Sequence, residues 1–206
     1  MINDDQLVKD CMRQNKLAQQ ELYNKYSPVM RAICFRYADD KEEAKDILQD
    51  GFIKVFLNIA QFKFKGSLEG WIRRIMINTA IGYYNKKKRK SEVVLVEEIH
   101  ELPEESKDSF DGENSTENPF LFDVILDADL SQEELLEALN ILKPEFRIVF
   151  NLFFLEEFPH KDIATLLNID EKTSRTRLFR ARNKVQKHLY ELSLEKLEDK
   201  RKLRRL

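Results

Sequence analysis

Residues 159–188 read PHKDIATLLNIDEKTSRTRLFRARNKVQKH, and this stretch has the pattern of a helix-turn-helix. It predicts a short helix over 161–167, a tight turn at Asn168, and a longer helix from about Thr173. Asn suits such a turn because it tolerates positive φ better than most residues. Asp170 follows the turn and offers a side-chain oxygen that can cap the second helix. We therefore expect a small helical domain built around this motif.

The second helix of this motif has an apolar side and a basic side when its residues are placed at about 100° per residue. The apolar side, which we expect to face the core, carries Ser174, Leu178, Ala181, Val185, Leu189 and Leu192. The opposite side carries Lys172, Thr176, Phe179, Arg180 and Asn183, with Arg175 flanking it. In the major groove, Arg reads guanine edges, Asn reads adenine, and Thr and Phe contact thymine methyl groups. These six residues are the candidate contacts to duplex DNA; a basic helix that is merely solvated is the alternative interpretation.

The charge of the chain is segregated, although its net charge of -2 does not indicate affinity for nucleic acid. Residues 92–129 are almost purely acidic, whereas 86–90 and the second helix of the motif are basic. Only 5 Gly and 5 Pro interrupt the long helical patterns of a chain in which 35% of the residues are charged. We therefore expect an all-α protein whose two basic modules are joined by an acidic linker.

Residues able to carry catalytic or metal chemistry are scattered. Cys11 and Cys34 lie alone in helical patterns, and the three His residues are far apart in sequence. Neither a metal site nor a Cys/His nucleophile pair is predicted, and the two thiols are expected to be buried. No apolar stretch reaches the roughly 18 residues of a membrane span, and the amino terminus is acidic rather than signal-like. We expect a cytoplasmic protein that is not an enzyme, with no cofactor, small-molecule substrate or membrane insertion.

The first part of the chain predicts a series of helices. A short helix over 4–13 is broken at Asn15, and a helical pattern then runs from Leu17 to Ala38. Within that pattern, the pair at 27–28, Ser-Pro, predicts either a kink or the start of a new helix.

Asp40 and Glu43 form a capping-box pattern before a helix over 41–59. Its core side is expected to carry Ala44, Leu48, Gly51, Phe52, Val55 and Ile59. Its far side carries Glu42, Asp46, Gln49, Asp50, Ile53 and Leu57. Carboxylates beside two exposed aliphatic side chains indicate a protein-docking face. Alternatively, a neighbouring helix covers Ile53 and Leu57.

An aromatic and basic loop precedes Ser67, which is expected to cap a helix over 68–87. That helix is apolar nearly all round, with a few polar exceptions. Aromatic side chains interleaved with cations are typical of surfaces that bind single-stranded nucleic acid. The candidate contacts in the loop and the helix are Phe62, Lys63, Phe64, Lys65, Arg74 and Asn78. In the alternative interpretation Phe62, Trp71 and Tyr83 belong to the core, and for Trp71 we favour the core.

Residues 91–130 show no sustained periodicity and are interpreted as a linker. Ser131 and Glu134 then form a second capping-box pattern, and Pro144 begins another helix. This helix is expected to pack against the helix-turn-helix through Ile148, Val149, Leu152, Phe153 and Phe154. A charged tail that frays is expected over 196–206.

Several segments resemble the motifs of one family. AKDILQDGF at 44–52 and WIRRIMIN at 71–78 resemble the core-binding motif and the following helix of bacterial RNA polymerase sigma factors. RIVFNL at 147–152, DIATLL at 162–167 and TSRTRLFRAR at 173–182 resemble the promoter-reading domain of that family. The chain is therefore identified as a member of the small extracytoplasmic-function (ECF) group of the sigma-70 family. Departures from the family pattern are Lys45 for an acid, Gly82 for an Asp, Asn85 for an Arg and Asn168 for a Gly.

The resemblance implies two helical domains with different targets. A domain over 1–90 would bind core RNA polymerase and the melted -10 element, the latter through the six loop and helix residues named above. Its contacts to the polymerase would be Asp46, Gln49, Asp50, Ile53 and Leu57. A domain over 131–195 would read the -35 duplex, and the linker would thread the active-centre cleft and RNA path of the polymerase. The partners implied are core RNA polymerase, promoter DNA and an anti-sigma factor.

Two other classes of function are weighed against this one. A stand-alone helix-turn-helix repressor would need a dimerisation surface and a palindromic operator. A nucleic-acid enzyme would need grouped carboxylates, a nucleophile or metal ligands, and the sequence groups none of them. The two blocks of motifs, in this order and separated by a linker, favour a sigma factor.

Overall fold

The computed structural model of the chain describes residues 3–97 and 130–203, which are helical and include no strand. The chain divides into two compact units, Met1–Val93 and Val94–Leu206. The predicted all-α class is therefore confirmed. Within the described ranges, no helix has both the length and the apolar composition needed to cross a membrane.

The first unit is built from four helices and a short 3-10 turn in its described part. They are α1 Asp4–Met12, α2 Lys16–Tyr37, α3 Lys41–Asn58, the 3-10 turn Ile59–Gln61, and α4 Leu68–Glu97. Polar side chains fix where these helices begin, because each accepts a backbone N–H that the helix cannot bond itself. The side chain of Asn15 accepts from Leu17 and Ala18, and that of Ser67 accepts from Gly70.

Of the two alternatives predicted at 27–28, the start of a new helix is excluded, because helix α2 continues through Pro28. Two other details of the first unit differ from the prediction. Asp40 caps α3, but the Glu43 carboxylate accepts from the Asp39 N–H rather than from Asp40, so the capping box is incomplete. Helix α4 extends to Glu97, past the predicted end at 87 and into the predicted linker. The extension contains neither Gly nor Pro and is rich in Lys, Arg and Glu, which favour helix propagation.

The core of the first unit is formed by buried side chains of α1, α2, α3 and α4. The predicted core side of α3 is buried at every position: Ala44, Leu48, Gly51, Phe52, Val55 and Ile59. Ile47 is also buried, although the helical periodicity of the sequence did not place it on the core side of α3. Gly51 lets α4 approach closely, since a Cβ built there would lie 2.2 Å from Sδ of Met76. No other residue type fits at this crossing without displacing Met76.

The second unit places its helices around one long helix. Its elements are α5 Gln132–Asn140, α6 Pro144–Phe150, a π-helical segment Asn151–Leu155, α7 His160–Leu167, and α8 Glu171–Leu203. The second capping box is confirmed, because Ser131 Oγ accepts from the Glu134 N–H and Glu134 Oε2 accepts from the Ser131 N–H. Pro144 is the first residue of α6, as predicted.

Helices α5, α6 and α7 all pack against α8. One buried cluster joins α5 to α8 and contains Ala138, Leu139, Leu142, Ala181 and Val185. Packing of Ile148, Val149 and Leu152 in this unit is confirmed by their burial. The prediction for Phe154 is wrong, since its side chain is 46% exposed. The π-helical segment adds a residue to one turn and so rotates Phe154 away from the face that a regular helix would give it.

The predicted charged tail begins as a continuation of helix α8. Helix α8 continues through Lys196, whose Nζ lies 2.5 Å from Oε2 of Glu134, and Ser193 one turn earlier is buried. Residues 98–129 of the predicted linker and 204–206 of the predicted tail lie outside the described residues.

Candidate nucleic-acid interface

The turn of the helix-turn-helix has the predicted geometry. Asn168 ends α7 in the left-handed region, with φ 51° and ψ 55°. Asp170 then caps α8: Oδ1 accepts from the Thr173 N–H at 2.6 Å, and Oδ2 accepts from the Thr173 hydroxyl at 2.7 Å. The backbone bond from Thr173, followed by the hydroxyl bond, lowers the pKa of Asp170. Helix α8 begins at Glu171, slightly before the predicted start.

The predicted DNA-reading residues lie on the outer side of α8. Five of them are exposed, namely Lys172, Arg175, Phe179, Arg180 and Asn183. Thr176 is half-buried, and its hydroxyl donates to the Lys172 carbonyl at 3.0 Å. Ser174, Ala181 and Val185 are buried on the opposite side. The face combines guanidinium, amide and aromatic groups that can contact base edges in the major groove.

Arg175 pairs with a carboxylate that was not predicted from the sequence. Its Nη2 lies 2.5 Å from Oε1 of Glu171, one turn earlier on α8. Both side chains are largely solvated, so this pair is weak and exchangeable. The spacing of four residues between opposite charges is the signal that could have identified it. Arg175 can therefore leave Glu171 for a base or a phosphate.

The aromatic loop of the first unit is only partly accessible. Phe62 is 7% exposed, with its ring centroid 5.1 Å from that of Phe64 and 5.7 Å from that of Trp71. A base cannot stack on a buried ring. Phe62 is therefore a core residue and is removed from the candidate contacts to DNA. Lys63, Phe64 and Lys65 remain available, and Phe64 is 42% exposed.

Two features set the geometry of the remaining loop contacts. Phe64 adopts φ 57°, which is unusual for a bulky residue and marks a conformation that the surrounding structure imposes. Arg74 and Asn78 are exposed one turn apart on α4, so they share a face of that helix. Trp71, which was assigned to the core, is half-buried against Phe62.

The outer face of α3 is the candidate protein-docking face. Leu57 is 77% exposed and Ile53 is 49% exposed, so no described helix covers this pair fully. Asp46 and Gln49 are also exposed. The covered-face alternative is therefore wrong for the part of the chain that the structure describes.

Asp50, by contrast, is used inside the first unit. It accepts a hydrogen bond from the Tyr83 hydroxyl at 2.8 Å, which links α3 to α4. Burial, and then this bond to the carboxylate, raise the pKa of Tyr83 to about 12. Asp50 therefore has a structural role within the unit, although the sequence predicted it only as part of the docking face.

A groove of about 710 Å³ adjoins the docking face between α2 and α3. Aromatic side chains form much of its lining, and Gln49 and Ile53 of the docking face also line it. Its aromatic residues are Tyr23, Phe35, Phe52 and Phe56. The lining also includes Arg31, Lys41 and Lys45 with Glu42, so the groove combines apolar and charged groups, as protein interfaces do.

An ion cluster fixes the basic half of α4. Nζ of Lys87 lies 2.8 Å from Oδ2 of Asp39 and 2.6 Å from Oε1 of Glu43. Burial lowers the pKa of Lys87, but the bonds to Asp39 and Glu43 outweigh this effect and raise it. Lys87, although exposed like Lys86 and Arg89, is therefore held within the unit by two carboxylates.

The two cysteines are buried, as predicted. Burial raises the pKa of Cys11 to about 11 and that of Cys34 to about 12, so both thiols stay protonated at neutral pH. Among the residues that the structure describes, no group of three or more His, Cys, Asp or Glu side chains is arranged to hold a metal ion.

Comparison with known proteins gives matches in both units. Residues 22–90 match the family Sigma-70 region 2, and residues 132–185 match Sigma-70, region 4. The RNA polymerase sigma-H factor of Pseudomonas aeruginosa is 27% identical over 192 residues, which cover 93% of this chain and 96% of that protein. The ECF RNA polymerase sigma factor SigW of Bacillus subtilis is 26% identical over 196 residues, covering 91% and 100%. The sigma factor RpoE in complex with the anti-sigma factor NepR from Bartonella quintana aligns with a TM-score of 0.46 at 22% identity, covering 82% and 95%.

Proposed function

Because the chain belongs to the ECF group of the sigma-70 family of RNA polymerase sigma factors, we propose that its two units divide the recognition of one promoter between them. The protein is a transcription initiation factor, and the polymerase supplies the chemistry. A stand-alone helix-turn-helix regulator is not favoured, because the region 2 match covers a separate unit that such a regulator does not need.

The second unit, predicted as 131–195, reads the -35 duplex with the outer side of α8. The observation that carries this assignment is the division of α8 into a buried side, with Ala181 and Val185, and an exposed basic side. The proposed contacts are Lys172, Arg175, Thr176, Phe179, Arg180 and Asn183. An α-helix fits the major groove, and these groups match base edges and phosphates there.

The first unit, predicted as 1–90, captures the melted -10 element. The proposed contacts are Lys63, Phe64, Lys65, Arg74 and Asn78, without the buried Phe62. Phe64 offers an exposed ring on which an unpaired base can stack, and the two lysines can neutralise flanking phosphates.

Core polymerase binds the outer face of α3 and the adjoining groove. Asp46, Gln49, Ile53 and Leu57 make the proposed contacts. Asp50 contributes by orienting α3 against α4 through Tyr83. The exposed aliphatic side chains supply the apolar centre of the interface and the carboxylate its charge.

The acidic linker is proposed to lie in the path of the transcript, although most of it falls outside the described residues. Its sequence over 92–129 carries many carboxylates and few cations, so it is strongly anionic, as a nucleic-acid strand is, although its charges are more widely spaced. We also propose an anti-sigma factor as a partner and the cytoplasm as the location, since core polymerase is there.

Transcription from a promoter library with randomised -10 and -35 elements tests the proposal. Core polymerase with the full chain is expected to select both elements, and neither component alone is expected to initiate at them. Promoter selection by the chain without polymerase, or a requirement for a palindromic site, would support the regulator instead.

A further inference from the structure

A polar contact joins the two helices of the helix-turn-helix on the core side of α8. Nδ1 of His160, the first residue of α7, lies 2.9 Å from Oγ of Ser174 in α8. Ser174 is 0% exposed, so water cannot replace the imidazole as its partner. If this contact is lost, the buried Ser174 hydroxyl needs another hydrogen-bond partner, and the packing around α8 restricts which groups can reach it.

The imidazole is also held from a second side. Its ring is stacked on Phe153, with centroids 4.7 Å apart and planes at 24°. Phe153 belongs to the π-helical segment and packs edge-on against Phe154, with centroids 5.2 Å apart. The stack and the hydrogen bond together constrain both side-chain dihedral angles of His160. His160 therefore links the π-helical segment to α8 in one geometry.

Ser174 directly precedes a proposed base-reading residue, Arg175. The pKa of His160 is lowered most strongly by burial and further by Arg175, whereas Glu171 opposes both effects. Arg175 and Glu171, the two charged groups that act on the imidazole, belong to the same turn of α8. A bidentate contact between Arg and guanine requires placement within about 0.5 Å and 10–20°. A bond that fixes the rotation of α8 at Ser174 therefore controls where the Arg175 guanidinium points.

We propose that His160 is a positioning residue for -35 recognition, which through Ser174 fixes the first turns of α8 and the direction of Arg175. The inference rests on the proposed role of α8 at the -35 element. His160 contacts no base in this arrangement and acts only through the protein. Its effect is confined to the start of α8, because the buried side chains of Ala181 and Val185 hold the later turns, and Asn183 lies there, about 13 Å further along the helix axis.

The experiment compares -35 preference among variants of the full chain in transcription with core polymerase and a library randomised at the -35 element. Ser174→Ala removes the hydroxyl, and His160→Phe keeps a ring for Phe153 but has no Nδ1. His160→Asn keeps a polar side-chain atom near the Nδ1 position and loses the ring. Arg175→Ala and Asn183→Ala identify which base pair each of those residues reads.

Ser174→Ala and His160→Phe are expected to reduce preference at the Arg175 base pair by about fivefold, within the discrimination that one bidentate contact supplies. The double variant is expected to lose no more than either single variant, because both remove the same bond. His160→Asn is expected to restore part of the preference. Preference at the Asn183 base pair is expected to change by less than about twofold, since a bond at the start of α8 leaves later turns in place.

A matched control is Thr165→Ala, which removes a hydroxyl bonded to the Lys161 carbonyl on the exposed side of α7 without involving α8. It is expected to behave as wild type. Equal loss at all -35 positions, no loss, or additive losses in the double variant would overturn the positioning role. If His160→Phe fails to fold, the outcome for Ser174→Ala decides by itself.

The same data separate this inference from the proposed function. If Arg175→Ala and Asn183→Ala leave every -35 preference unchanged, the assignment of α8 to the -35 element fails, and the positioning role fails with it. If they change preference and the His160 and Ser174 variants do not, only the positioning role fails.

Discussion

The second unit presents its candidate DNA contacts on one side of one helix, whereas the first unit presents its candidate contacts on a loop and two helices that also hold the unit together. In α8, Arg180 and Asn183 are exposed while Ala181 and Val185 are buried. In the first unit, Phe62 packs against Trp71 and Asp50 bonds Tyr83. Binding and folding therefore use opposite sides of one helix in the second unit, whereas in the first unit the candidate contacts are immediate neighbours of residues that hold the unit together.

The largest expected effect separates two neighbouring aromatic residues of the loop. Phe62→Ala should destabilise the first unit by about 3–5 kcal/mol, because it empties a buried site. Phe64→Ala should cost less, about 1 kcal/mol, since Phe64 is 42% exposed and Phe62 only 7%. Chemical denaturation of the full chain measures both free energies of unfolding. If both variants lose the same free energy of unfolding, Phe64 is a core residue like Phe62 and the distinction between a core ring and a binding ring is wrong.

Charge reversal on the docking face should weaken polymerase binding with little effect on folding. Asp46→Lys is expected to raise the free energy of binding to core polymerase by about 2 kcal/mol if a cation faces it. Glu69→Lys changes the net charge equally at an exposed position on α4 and should leave the affinity near wild type. Titration of core polymerase with labelled protein gives both affinities. Equal weakening by the two variants would show only a general effect of charge.

Tyr83→Phe should reduce both the stability of the first unit and its affinity for polymerase, each by a small amount. Loss of the hydrogen bond to Asp50 is expected to destabilise the first unit by about 1 kcal/mol. It should also weaken polymerase binding modestly, because α3 loses one attachment to α4. An unchanged thermal midpoint together with unchanged affinity would contradict the role given to Asp50.

The smallest expected effect is a pH dependence confined to the second unit. The folded pKa of His160 lies below the ordinary value of 6.5, so the neutral ring is favoured in the folded state. Its contribution to stability is complete above about pH 6.5 and is lost as the pH falls through that value toward the folded pKa. Arg175 and Glu171 are the charged groups that act on the ring. Thermal unfolding of wild type and His160→Phe between pH 7.5 and 5.5 should show a steeper loss in wild type.

The sequence predicted the outer side of α8 because helical periodicity alone separates buried from exposed positions on a helix that packs along one side. It also predicted the turn, since Asn168 and Asp170 act through local backbone geometry. The failures depend on contacts between segments distant in sequence. Burial of Phe62 depends on Trp71, and the use of Asp50 depends on Tyr83, which is 33 residues away.

Helix boundaries and register show the same division. Phe154 is exposed because it lies in a π-helical segment, and the spacing of apolar residues does not predict such a segment. The contact between His160 and Ser174 escaped prediction because the two residues come together only when α7 folds back on α8. Local chemistry is thus predictable from this sequence, and contacts created by packing are not.

The most direct test of the division between the units compares Arg180→Ala and Phe64→Ala on two promoter templates, one fully double-stranded and one melted in advance at the -10 element. Arg180→Ala should reduce -35 preference by about 1–3 kcal/mol on both templates. Phe64→Ala should leave -35 preference intact and impair transcription from the double-stranded template more than from the melted one, since stacking of one base contributes about 1–3 kcal/mol to opening. Loss of -35 preference in Phe64→Ala, or an Arg180→Ala defect that premelting relieves, would contradict the account.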